Sequence, residues 1–138
     1  FNFNKRIFKI KKDLRDFLIN KKNVFAYGAS TKGNVVLNLC KLSSKELGFV
    51  CDANRKKFGS FTPGSNIEII SKEKMRKIFP KYLLVLIWSF RKEVIKQEKE
   101  YVKSGGNLIF HLPKFHIINK KNYRSYLNKS FNDMSYKY

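Results

Sequence analysis

Apolar side chains recur along the first twenty residues at alternating four- and three-residue steps: Phe3, Ile7, Ile10, Leu14 and Phe17. That spacing lines them along one face and predicts an amphipathic helix over residues 1–20, broken by Asn20–Lys22. The period then changes. Val24–Tyr27 is a short apolar run that reads as a buried strand. The turn Gly28–Gly33 follows, then a helix carrying Val35, Val36, Leu39 and Cys40 on its apolar side. Leu47–Cys51 and Ile67–Ile70 read as further strands, separated by the loop Ala53–Asn66 with its Lys56, Lys57, Gly59, Pro63 and Gly64. Ser71 stands as the N-cap of a short helix with Met75, Ile78 and Phe79 on its stripe, terminated by Pro80. Tyr82–Ile87 is apolar at nearly every position, the mark of a parallel strand covered on both faces. Phe90–Lys103 predicts one helix with Val94, Ile95, Tyr101 and Val102 on one side. Glu98 falls between them, which places it near the rim, or beside a partner if it is buried. Ser104–Gly106 stops this helix. Asn107–His111 is a fifth strand and Phe115–Ile118 a sixth, at the edge, with Pro113 suited to its start.

Strands alternating with helices across short connections predict an α/β fold. The sheet is doubly wound and mainly parallel, with five or six strands, and right-handed crossovers give the order 3-2-1-4-5. Ligands of such sheets bind outside the carboxyl ends of the strands, at the switch point. Five segments gather there: Gly28–Asn34, Asp52–Gly64, Ser71, Trp88–Arg91 and His111–Lys114. Gly28, Ser30 and Gly33 occupy the three glycine positions of the dinucleotide fingerprint G-x-G-x-x-G, with Ser in the middle. That serine narrows the approach of a pyrophosphate and adds a hydroxyl able to donate to it. The phosphate-loop signature fails, because Asn34 and Val35 follow Gly33, and this excludes an ATPase of that class. On the glycine pattern alone, an anion-binding turn and a tight strand-to-helix turn with no ligand fit equally well. Asp52 is similarly divided between bonding ribose hydroxyls and capping the next turn.

Composition changes the picture in one respect. The 138 residues suit one domain, and the net charge is +20. Residues 1–22 hold eight basic and two acidic side chains, residues 119–138 five and one, and the middle 17 and seven. The charge is therefore spread along the chain and not gathered into a stripe. Of the 30 basic residues 24 are Lys, and Asn, Ile, Phe and Tyr are abundant, as codons rich in A and T dictate. A solvated basic surface is favoured over a nucleic-acid groove, although such a surface attracts anions at low salt. The chain starts at Phe1 and reads as a segment of something longer. No signal peptide is expected, and the longest apolar run is far short of the roughly 20 residues that span a bilayer. Cys40 and Cys51 read as small buried hydrophobes and not as a disulfide. His111 and His116 lack metal-ligand spacing, so no metal site is expected, and no hydrolytic constellation is present. The tail Asn119–Tyr138 sets five aromatics among basic and polar residues. It predicts a short helix with Tyr123, Tyr126 and Leu127 on one face, docked on its own domain or a partner.

Four blocks, VFAYGASTKGNVVLNLC, FVCDANRKKFGSFTPGSNIEII, YLLVLIWSFRKEVI and SGGNLIFHLPK, together resemble the C-terminal domain of bacterial sugar C-methyltransferases. The resemblance runs from about Asn23 to Ile118, with residues 1–22 similar to the helix that precedes the domain and 119–138 left as a basic aromatic tail. It implies a Rossmann-like three-layer sandwich that binds substrate, a nucleotide-linked deoxysugar methylated at a carbon next to a keto group. It implies substrate contacts at Gly28, Ala29, Ser30, Thr31, Lys32, Gly33 and Asn34, at Asp52, and at Trp88 with Ser89. The family often has Asn where this chain has Ser89, and Pro at Ser30 or at Ile87, so the chain departs from the pattern there. Zinc and S-adenosylmethionine, with the general base, belong in that family to other domains, so no catalytic residue or cofactor is expected in this segment. A methyltransferase domain upstream or in trans is the expected partner, and the cytoplasm the expected location. Two other readings stand beside this one. Gly28, Gly33 and Asp52 suit a stand-alone dinucleotide- or coenzyme-A-binding module, and the charge with the aromatic tail suits a nucleic-acid binder.

Overall fold

The computed structural model describes residues 3–128. The leading helix α1 (Phe3–Leu18) is followed by β1 (Val24–Tyr27), α2 (Thr31–Leu39), β2 (Val50–Asp52), β3 (Ile69–Ser71) and α3 (Lys72–Ile78). Then come β4 (Tyr82–Val85), α4 (Arg91–Gln97), α5 (Lys99–Lys103), β5 (Asn107–Phe110), β6 (His116–Ile118) and α6 (Tyr123–Leu127). The six strands form one sheet in the order β3-β2-β1-β4-β5-β6. The first five are parallel, and β6 is antiparallel to β5. The fold is the expected Rossmann-like α/β sandwich, with the sixth strand added at the β5 edge.

Alternation along the strands divides the core into two layers. Ala26, Val50, Ile69, Leu84 and Ile109 face α1 and α2, joined by Leu14, Leu18, Leu37 and Cys40. Tyr27, Cys51, Ile70, Val85 and Phe110 face the other way, against Met75 of α3, Val94 and Ile95 of α4, Tyr101 and Val102 of α5, and Tyr123 of α6. The C-terminal helix therefore docks on its own domain. Residues 1, 2 and 129–138, the ends of the predicted leading helix and of the tail, lie outside the described residues.

Three local expectations are corrected. The apolar side of α2 is rotated: Val35 and Leu39 are 61% and 39% exposed, while Gly33, Leu37 and Cys40 are buried. The cause is Gly33, where even a Cβ would stand 3.0 Å from that of Leu86. The helix seats its bare backbone there, and Leu37 and Cys40, one and two turns on, take the core side. The predicted helix Phe90–Lys103 is two pieces, α4 and α5, separated at Glu98 and preceded by a 3-10 turn, Trp88–Phe90. Of the two places open to Glu98 in the sequence it takes the second, 1% exposed and beside partners. Strand ends also shift. Glu68 forms a bridge with Phe61 before β3 starts, and β4 stops at Val85 although the Leu86 amide still donates to the Tyr27 carbonyl at 3.0 Å. Both sheet margins are occupied. The Gly59 amide donates to Ile69 O, and the Ile69 amide to Ser60 O. At the other margin Asn122 Nδ2 donates to Ile117 O.

Candidate functional site

The carboxyl end of β1 leads straight into the turn. Gly28 has φ +97°, and a Cβ there would stand 2.7 Å from Ile87 Cγ2. Only glycine permits this sharp exit beneath the end of β4. Ala29 is held at both of its backbone groups. Its amide donates to Asp52 Oδ2 at 2.8 Å, and its carbonyl accepts from Lys57 Nζ at 2.8 Å. Asp52 Oδ1 accepts the Asn54 amide at 2.8 Å, so one carboxylate at the end of β2 fixes two turns at once. Ser30 is the N-cap of α2, its Oγ accepting the Gly33 amide at 3.0 Å. The amides of Thr31 and Lys32 come earlier in the first turn, where no carbonyl of the same helix can reach them. They point out of the positive end of the helix, and both residues are exposed. Asn34 Oδ1 is sealed from solvent with no hydrogen-bond partner.

The serine at position 30 thus serves its own helix. The aspartate at position 52 caps its following turn and also braces the glycine turn. The structure brings Gly28–Asn34 and Asp52 into one bonded unit. Trp88 and Ser89 lie at the end of the neighbouring β4, where the adjoining Ile87 meets Gly28. Trp88 packs on the core layer away from α2, and Ser89 is exposed. Beyond Asp52 a cleft of about 300 Å³ opens, lined by Asp52, Ala53, Arg55, Phe58, Lys72, Glu73 and Arg76. That size is at the small end of ligand pockets.

Two groups that the sequence singles out without assigning them a role take definite places in the structure. Extending the register places Gly28, Leu86 and His111 in one row across β1, β4 and β5, one residue past the pair Tyr27–Val85 and two past Leu84–Ile109. His111 is 2% exposed, and neither ring nitrogen has a hydrogen-bond partner. Burial pushes its pKa down to about 4, with a lesser push from His116, so the ring is neutral near pH 7. His116 is sandwiched between Phe110 and Tyr126. Its Nδ1 lies 2.7 Å from the Lys114 carbonyl, which can only accept, so Nδ1 carries the proton. Nε2 is then free to accept from Arg91 Nη1 at 3.3 Å.

The second group is Glu98, which accepts from Arg76 Nε at 2.9 Å, Arg76 Nη2 at 2.7 Å and Tyr27 Oη at 2.8 Å. Burial, then the Glu98 charge, raises the Tyr27 pKa, and the hydrogen bond to Glu98 raises that of Arg76. This cluster ties α3 to the α4–α5 break under the central strand. Cys40 and Cys51 are buried free thiols. Burial pushes Cys40 up to about 11, against the pull of Lys11 and Arg15, and it also raises Cys51. Neither suits nucleophilic work. No helix among the described residues is long and apolar enough to cross a membrane.

A mainly parallel sheet in the order 3-2-1-4-5-6, with a glycine turn leading from its central strand into a helix, defines the Rossmann-like class of folds. The sequence narrows this: residues 1–113 match the family described as the C-methyltransferase C-terminal domain, and the chain belongs to that family. It is 36% identical over 110 residues to the C-methyltransferase NovU of Streptomyces niveus, an alignment covering 80% of this chain and 26% of NovU. The chain therefore spans about a quarter of that relative's length.

Proposed function

We propose that this domain holds a nucleotide-linked sugar for an S-adenosylmethionine-dependent C-methyltransferase. The observation that carries the reading is the braced turn Gly28–Asn34, in a chain of this family, with helix amides and lysines around it. A diphosphate suits such a place: it accepts from Thr31 and Lys32 amides and is drawn by the positive end of α2. Methylation at carbon needs an enolate or carbanion formed beside the keto group, and the base must flank the sugar. A domain that anchors the nucleotide end fixes the distance of the sugar from that base, and positioning of this kind supplies several kcal/mol.

The base, the methyl donor and zinc are assigned to other parts of the enzyme. Among the described residues no three His, Cys, Asp or Glu side chains stand together to hold a metal ion. The reading places the protein in the cytoplasm, with a methyltransferase domain as its partner. Calorimetric titration of the chain with uridine and thymidine diphosphates and their sugar conjugates tests it, with micromolar to millimolar binding expected. Absence of heat with every nucleotide would sink the reading. Asp52 at the end of β2 supports a second reading, a dinucleotide or coenzyme A module. A thermal shift with NAD, NADP or coenzyme A, and none with nucleotide sugars, would favour it.

A further inference from the structure

The cation expected from the sequence to meet the ligand is Lys32, on the exposed first turn of α2. A different lysine is better placed. Lys57 closes the 3-10 turn Arg55–Lys57, which Asn54 caps through the Lys56 amide at 3.1 Å. Asp52 and Asn54 reverse the chain, so that Lys57 returns to the glycine turn five residues after Asp52. Its Nζ stands 2.8 Å from the Ala29 carbonyl, and its side chain is half-buried. One hydrogen is thereby used, and an ammonium carries three. Among the described residues no carboxylate forms an ion pair with it.

The surroundings add positive charge to the same turn. The first turn of α2 carries no acidic residue, Lys32 sits within it, and the helix dipole adds positive potential. Asp52, the acid that braces the turn, already accepts the Ala29 and Asn54 amides.

We propose that Lys57 is the principal cation for the ligand's anionic group, a phosphate or diphosphate, and that Lys32 is secondary. This rests on the reading of the turn as a nucleotide-sugar site and adds the residue that reads its charge. Lys57 is pre-positioned by the carbonyl it holds, so less side-chain freedom is lost when the anion arrives than for a lysine in open solvent.

Calorimetry on the whole chain with inorganic pyrophosphate and with thymidine diphosphate tests this. Lys57→Met is expected to weaken both by about tenfold to a hundredfold, the range of a hydrogen bond to a charged group. Lys57→Arg restores most of the affinity, and Lys32→Met changes it by less than about threefold, as an exposed ion pair does. Lys57→Gln separates charge from scaffolding, because it keeps a donor for the Ala29 carbonyl. Loss in Gln equal to that in Met supports the charge role, and rescue by Gln overturns it. Wild-type affinity in Lys57→Met, or an equal loss in Lys32→Met, also overturns it. A wild-type chain that binds pyrophosphate or the diphosphate, with Lys57 variants unaffected, refutes this inference alone. A wild-type chain that binds neither refutes the function reading with it.

Discussion

Gly28 and His111 mark two ends of one row across the sheet, and each gives a test at the scale of a single side chain. Gly28→Ala forces a Cβ into a left-handed conformation and into Ile87. It should cost about 2–3 kcal/mol, read from the urea midpoint. His111 is held neutral by burial. Between about pH 6.5 and 4 the unfolded chain therefore binds a proton that the folded chain does not. Stability should fall as pH drops through that window, by on the order of 2–3 kcal/mol in all. His111→Leu removes the two buried nitrogens and should flatten this limb of the stability–pH curve. An unchanged slope would mean that another group governs it. Gly28 and Asp52 were legible in the sequence because a strand followed by a glycine, and an acid at a strand end, are local signals. Lys57 and His111 were not, because their roles depend on a chain reversal and on which of two sheet faces a residue turns toward.

At the scale of elements, the break between α4 and α5 is the main lesson. Its sequence reads as one helix with an acid among apolar positions, and periodicity alone cannot say whether that acid is wet or partnered. Arg76, 22 residues earlier on α3, decides it. The dependence is asymmetric. Arg76→Met leaves a carboxylate at 0% side-chain exposure with only Tyr27 beside it. It should cost about 2–3 kcal/mol, less than a wholly buried pair because the Arg76 side chain is 42% exposed. Glu98→Gln should cost less, since a half-exposed guanidinium can turn to water. Equal losses in urea denaturation would contradict this account. The misread face of α2 has a related origin: the apolar residues Val35 and Leu39 suggested one side, and a glycine that contributes no apolar surface set the other.

For the whole molecule, the sheet order and the two-layer core follow from the alternation of strand and helix, and these were the most legible features. The antiparallel β6 was less so, because a three-residue strand carries no directional signal. The charge of +20 belongs at this scale too. Spread along the chain, it should give weak binding to DNA duplexes of any sequence, lost in parallel as salt rises from 50 to 200 mM. Filter binding or anisotropy would show it, and tight, salt-resistant binding to one sequence would instead point to a nucleic-acid function.

The occupied margins of the sheet have a consequence of their own. A β-structure this apolar is prone to recruit stray chains wherever a row of backbone rungs lies bare. Here the loop at Gly59 and Ser60 fastens one border, while Asn122 takes a carbonyl on the other. Crowded copies of this domain therefore meet along hemmed borders, and among the described residues the hem at Asn122 is the thinner of the two: loosening it is where fibrous stacking should start.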